Sequence, residues 1–216
     1  MSLRPLADCR LYTFVDTAYL DGRDPSEIAR QLCGGGSDLV QFRAKDWPRE
    51  RVLPVAEALA AVLDRAGVRL VVNDHLDVAV AVGAPCVHLG QEDFFDAGHS
   101  HVSGLPGKPP GLEVGLSTHA PDQCRRAVDA GADYVAIGPV FATGTKPTAR
   151  PVTLDYVRWA ASSVSVPWFA IGGINEATLP AVLEAGARRV CIVSAILRSS
   201  DIAAACRRVR AMMDAA

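Results

Sequence analysis

The sequence predicts an α/β fold, a (βα)8 barrel of the TIM type, as one catalytic domain over residues 1–216, and three observations carry the prediction. Short β-branched runs alternate with longer runs of helical period eight times along the 216 residues, about 25 residues to a unit, which suits a closed parallel barrel. The segment after the first strand, Asp16-Thr17-Ala18-Tyr19-Leu20, is not the glycine-rich turn of a dinucleotide-binding open sheet. The unusual polar residues follow the strands, at the end where a barrel gathers its active site.

The elements read in order. A strand over 11–15 precedes Asp24-Pro25-Ser26-Glu27, a helix start with an N-cap acid, proline at the first position and glutamate at the third. Ile28 and Leu32 give that helix its apolar stripe, and Gly34-Gly35-Gly36 ends it. The second strand is 39–42. Its helix is expected from about Arg51, because Pro54 is tolerated in a first turn, with Val55, Leu59, Val62 and Leu63 on one face. Strand three is 70–72, followed by a short helix through 78–82. Strand four is 86–89.

Residues 94–111 hold three glycines before Gly111 and three prolines, so any helix there is short. Strand five is 113–116, and a helix opens near Pro121 with Cys124, Ala127, Val128 and Gly131 in helical spacing. Strand six is 134–137, with a helix over 154–161. After strand seven, 168–171, Asn175 is expected to cap a helix carrying Leu179, Val182 and Leu183 and stopped by Gly186. Strand eight is 190–193, and Ile202, Ala205, Val209 and Met213 face inward from the last helix.

Composition narrows the function classes. With 22 Lys and Arg against 24 Asp and Glu, the net charge is -2, and no basic tract supports nucleic-acid binding. The apolar stretches are too short to span a bilayer, and the first eight residues lack a signal-peptide core. These readings imply a cytoplasmic protein that engages neither membrane nor nucleic acid. The six cysteines are scattered, with no zinc spacing, and read as reduced structural thiols. Oligomeric state is left open.

The chemistry lies after the strands. In Gln41-Phe42-Arg43-Ala44-Lys45, alternation sets Gln41, Arg43 and Lys45 on one side, where a barrel interior is usually aliphatic. Such cations suit a phosphate or diphosphate, the alternative being salt bridges to barrel acids. Asp74 follows strand three and Asp93 follows strand four, on neighbouring loops, so both carboxylates could reach one Mg2+ that also binds substrate phosphate. Asp74 could also cap the next helix, a role compatible with the first. The loop Gly138-Pro139-Val140-Phe141-Ala142-Thr143-Gly144-Thr145-Lys146 offers hydroxyls, backbone N–H groups and a lysine to an anion. Gly172-Gly173-Ile174 and Ser194-Ala195 follow strands seven and eight, the recurrent phosphate site of such barrels. Two anion sites in one mouth suggest two phosphorylated substrates.

Taken together, Gln41-Phe42-Arg43-Ala44-Lys45, Asn73-Asp74, His88-Leu89-Gly90-Gln91-Glu92-Asp93, Gly115-Leu116-Ser117-Thr118-His119, Thr143-Gly144-Thr145-Lys146 and Ile171-Gly172-Gly173-Ile174 resemble, in order, the motifs of the thiamine phosphate synthases. The match runs from about Leu11 to Leu197. The resemblance implies a transferase that joins the diphosphate of a hydroxymethylpyrimidine to a thiazole phosphate, by magnesium-assisted departure of pyrophosphate. By the same resemblance, Gln41, Arg43, Lys45, Asn73, Ser117 and Lys146 serve the pyrimidine diphosphate. Asp74 and Asp93 hold the metal, while Thr143, Gly144, Thr145, Gly173, Val193 and Ser194 hold the thiazole phosphate. Ala44 stands where the family often has glutamate, a glycine stands between Thr143 and Thr145 where proline is common, and residues 94–111 look long for the family.

Two other readings compete. A thiazole tautomerase of the same superfamily would use a histidine base, for which His119 is the candidate, and would need no metal. A non-catalytic phosphate-binding homologue is the third. Asp74, Asp93 and Lys146 together favour the synthase, because neither alternative uses a metal–diphosphate site. His88 reads as barrel interior, and Trp47, Trp159 and Trp168 as packing residues.

Overall fold

The computed structural model describes residues 3–143 and 151–216. Eight parallel strands close in sequence order into a barrel, β1-β2-β3-β4-β5-β6-β7-β8. They are β1 Leu11–Asp16, β2 Leu39–Arg43, β3 Arg69–Asn73, β4 Cys86–Leu89, β5 Glu113–Thr118, β6 Tyr134–Ile137, β7 Trp168–Ile171 and β8 Val190–Cys191. The ring closes through two register pairs, Leu11 with Val190 and Tyr12 with Cys191. Every strand start matches the expected one to within a residue.

The helices are α1 Pro25–Gly34, α2 Arg49–Ala66, α3 Leu76–Ala81, α4 Pro121–Asp129, α5 Thr153–Ser163, α6 Leu179–Glu184, α7 Ser194–Leu197 and α8 Ile202–Asp214. Helix α1 starts as its sequence dictates: Asp24 accepts from the N–H groups of Ser26 and Glu27, with Pro25 at the first position. In α8, Ile202, Ala205, Val209 and Met213 are all buried. Between β4 and β5 there is no α-helix, only a π turn, Glu92–Asp96, and a 3-10 turn, Val102–Gly104. Phe94 and Phe95 are buried there edge to face, so two aromatic anchors replace a packed helix.

Three local expectations are corrected. Helix α2 begins at Arg49, with Pro48 as N-cap, so Pro54 lies in the second turn. Val52 is buried and docks the first turn early, and the buried stripe is Val52, Ala56, Leu59 and Leu63, with Val55 and Val62 only partly covered. Asn175 does not cap α6. Its side chain accepts from the N–H groups of Ala177 and Thr178, closing a turn ahead of the helix, whose N-cap is Thr178. Helix α3 begins at Leu76, two residues before its expected start.

The six cysteines are free, all buried except the half-buried Cys33. Burial raises the Cys9 thiol to about 12 and the Cys33 and Cys206 thiols to about 11, so they remain unreactive thiols at neutral pH. Among the described residues, no helix is long and apolar enough to cross a membrane.

At the closed end of the barrel, Asp38 ties four segments together. Its buried carboxylate accepts from the backbone N–H of Arg10 at 2.7 Å and of Leu11 at 2.9 Å, from Arg4 at 2.7 Å, and from Arg210 of α8 at 2.5 Å. Removing a buried partner of this kind leaves uncompensated charge and unpaired N–H groups, at a cost of about 3 kcal/mol. Asp38→Ala is therefore expected to lower the urea midpoint by that equivalent, read by circular dichroism. A change below about 0.5 kcal/mol would show the cluster to be dispensable.

Candidate active site

The C-terminal ends of the strands surround one mouth that encloses about 1060 Å3, open solvent included. Every proposed ligand within the described residues lines it: Gln41, Arg43 and Lys45 from β2 and its loop, Asn73 and Asp74 from β3, Asp93 beyond β4, Ser117 on β5, and Thr143, Gly173, Val193 and Ser194 on the far side. Gly144, Thr145 and Lys146 lie outside the described residues.

The two cations are held by acids. Arg43 donates to Asp16 at 3.0 Å, and Lys45 sits 3.6 Å from Asp74. Asp16 is wholly buried, and its other oxygen accepts from the N–H of Ala18. The salt-bridge reading of β2 thus holds for both cations, and both still face the mouth. Sequence reasoning missed Asp16. The available signal was an acid ending the otherwise uncharged run Leu11-Tyr12-Thr13-Phe14-Val15, paired with Arg43 in the β1–β2 register. Buried pairing of this kind fixes the guanidinium fork in one orientation.

Asp74 does not cap α3, whose N-cap is His75 without a side-chain hydrogen bond. Asp74 has φ 62°, a left-handed conformation that costs most residues strain. Burial raises its carboxyl pKa, the adjacent Asp93 charge raises it further, and Lys45 only partly offsets them. Asp93 in turn accepts from the N–H of Gly90 at 3.2 Å. Two crowded carboxylates at a site edged by cations form a donor set that suits a hard divalent ion sharing its shell with phosphate oxygens.

On the opposite side, Gly173 has φ 66°, and a Cβ there would lie 2.7 Å from the Ala142 carbonyl oxygen. The glycine lets the loop after β7 pass against the loop after β6. Val193 and Ser194 open the short helix α7, whose first N–H groups have no partner within the helix. His119 lines the mouth, and its Nδ1 lies 2.5 Å from the Gly138 carbonyl. A carbonyl only accepts, so Nδ1 carries the proton and Nε2 is left as the acceptor.

The strain and crowding at Asp74 predict a trade of stability for function. Its folded pKa lies above the ordinary value, so ionisation at neutral pH disfavours the folded state, and removing the charge removes that penalty. Asparagine also tolerates the left-handed conformation better. Asp74→Asn is expected to raise the melting temperature, without added metal or substrate, by roughly 2–4 °C for about 1 kcal/mol. A lower melting temperature would contradict this account of the carboxylate pair.

Comparison with known proteins agrees with this geometry. Residues 11–196 match the sequence model of a family described as thiamine monophosphate synthase. A thiamine-phosphate synthase of Thermus thermophilus is 44% identical over 178 residues, covering 82% of each chain. One from Chloroflexus aurantiacus is 39% identical over 99% of this chain and 96% of that protein. The solved structure of a thiamine phosphate pyrophosphorylase from Pyrococcus furiosus superposes with a TM-score of 0.83 at 27% identity, covering 97% of this chain and 98% of that one. A matched barrel, a two-sided polar mouth and relatives of nearly full length agree, and the chain belongs to the thiamine monophosphate synthase family.

Proposed function

We propose that this chain condenses 4-amino-2-methyl-5-(diphosphooxymethyl)pyrimidine with 4-methyl-5-(2-phosphoethyl)thiazole, or its carboxylated form, to thiamine phosphate and pyrophosphate. The observation that carries the reading is one mouth with two unlike sides. Cations and paired carboxylates stand at the ends of β2 to β4, and glycine, hydroxyl and helix-start groups stand after β6 to β8.

The reaction breaks the bond between the exocyclic carbon and the diphosphate, and the thiazole nitrogen then attacks that carbon. Such a substitution needs a stabilised leaving group and a held nucleophile more than covalent help. Arg43, oriented by Asp16, would bind two diphosphate oxygens, with Lys45, Asn73 and Lys146 as further donors. Gln41 would contact the pyrimidine, and Ser117 would meet the same ligand. Thr143, Gly144, Thr145, Gly173, Val193 and Ser194 would hold the thiazole phosphate within reach of the carbon.

Asp74 and Asp93 would hold Mg2+, and the crowding that raises the Asp74 pKa supports a cation between them. When bound, magnesium would take up charge on the diphosphate.

One observation favours a second reading. The protonated Nδ1 of His119 leaves Nε2 as a potential base at the mouth, as a thiazole tautomerase would require. The two readings separate in one assay. Purified protein incubated with both heterocycles is expected to release pyrophosphate, with release lost on chelation and restored by magnesium. Asp93→Ala is expected to lower turnover by at least about a hundredfold while leaving the circular dichroism spectrum unchanged. Isomerisation of the thiazole alone, indifferent to chelator, would overturn the synthase reading in favour of the second.

A further inference from the structure

Five polar side chains from five strands form one hydrogen-bonded chain across the barrel interior. Ser117 Oγ on β5 lies 2.9 Å from His88 Nε2 on β4, and His88 Nδ1 lies 3.1 Å from Tyr134 Oη on β6. Tyr134 Oη lies 3.2 Å from Tyr12 Oη on β1, which accepts from Gln41 Nε2 on β2 at 2.5 Å. Tyr134 is fully buried, and Tyr12, Gln41 and His88 nearly so. A barrel interior is ordinarily filled by branched aliphatic side chains. The sequence makes room for this exception: Gly115 pairs with Tyr134 in the β5–β6 register, and a Cβ at Gly115 would fall 2.0 Å from the Tyr134 ring.

Proton counting gives the chain a direction. An amide nitrogen only donates, so Tyr12 Oη accepts from Gln41, and its own hydrogen must go elsewhere. Among the described residues, its other hydrogen-bond partner is Tyr134. Tyr134 thereby accepts and passes its own hydrogen to His88 Nδ1. A neutral imidazole that accepts at Nδ1 carries its hydrogen on Nε2, which then donates to Ser117 Oγ. With that lone pair engaged, the Ser117 hydroxyl hydrogen is free to point into the mouth that Ser117 lines. Burial raises both phenol pKa values well above the ordinary range, so each keeps the single proton the argument needs.

We infer that Tyr134 is a positioning residue, outside the mouth lining, that sets the proton order of this chain so that Ser117 acts as a hydrogen-bond donor to the substrate. This rests on the reading that Ser117 meets the pyrimidine diphosphate, and it adds the polarity of that contact. The partner recognised is an acceptor, of which the diphosphate oxygens are the strongest because their negative charge grows as the bond to carbon breaks. Were Gln41 to present its oxygen instead, every bond in the chain would reverse, and Ser117 would accept from the ligand.

Two measurements test the inference. Nitrogen-15 spectra of histidine-labelled protein, with His88→Gln to assign the signal, are expected to show His88 as the Nε2–H tautomer. The Nδ1–H tautomer would overturn the proton order whether or not the protein turns over. In kinetics, Tyr134→Phe is expected to lower kcat about tenfold, the scale of one misdirected hydrogen bond, with the KM for the thiazole phosphate changed less than about twofold. In a Ser117→Ala background, Tyr134→Phe is expected to add less than about a twofold loss. Equal losses in both backgrounds would mark a merely structural tyrosine and overturn the proposal. Tyr12→Phe interrupts the same chain and serves as the second variant if Tyr134→Phe does not fold. Wild-type protein inactive with both heterocycles would reject the proposed function instead, and the tautomer would still decide the proton order.

Discussion

Closure of the ladder between β8 and β1 is the constraint on which the rest of the molecule depends. Its strand register pairs Leu11 with Val190 and Tyr12 with Cys191, a short seam that turns a row of strand ends into a ring. The ring brings the charged groups at the ends of β2 to β4 opposite the glycine and hydroxyl groups that follow β6 to β8. An open sheet with the same sequence of elements would hold those two groups far apart. The seam is supported from the other end of the barrel, where Asp38 gathers the starts of β1 and β2, the N-terminal segment and the last helix through one buried carboxylate. Stability is thus concentrated at the N-terminal face and chemistry at the C-terminal face, the usual division of labour in this fold.

The mouth carries features that a barrel selected for stability alone would avoid. Asp74 is strained, crowded by Asp93 and partly buried. Asp16 is an ionisable group buried without solvent, balanced by Arg43. In the barrel interior behind the mouth, a tyrosine pair and a histidine occupy positions where aliphatic side chains would pack without needing partners. Asp16, the two tyrosines and His88 each find a hydrogen bond, as burial requires, and the partners supply the rigidity. Side chains held in this way face the mouth in fixed orientations, which lowers the cost of organising the site around a ligand.

Legibility in the sequence followed the range of the forces involved. The eight strands, the capped start of α1 and the inward face of α8 could be read because period, capping residues and turn glycines act within a few residues. The same holds for the list of polar residues after each strand, since barrel topology alone sends them to one end. The start of α2 and the register of its stripe were not legible, because burial of Val52 outweighs the local signal from Pro54. The role of Asn175 was not legible for a similar reason: an Asx-type turn and a helix cap offer the same side-chain oxygen to nearby N–H groups, and only the path of the chain distinguishes them.

By itself, the sequence determined the barrel, its polarity and the identity of the residues that meet at its mouth, because these follow from local pattern and from the fixed handedness of βα units. Tertiary structure alone decided the partnerships across strands. Asp16 belongs to Arg43, Asp74 faces Asp93, and Gly115 yields space to Tyr134. The reason is physical: these contacts join residues distant in the chain through register and ring closure, and no short-range pattern records which side chain will stand opposite another.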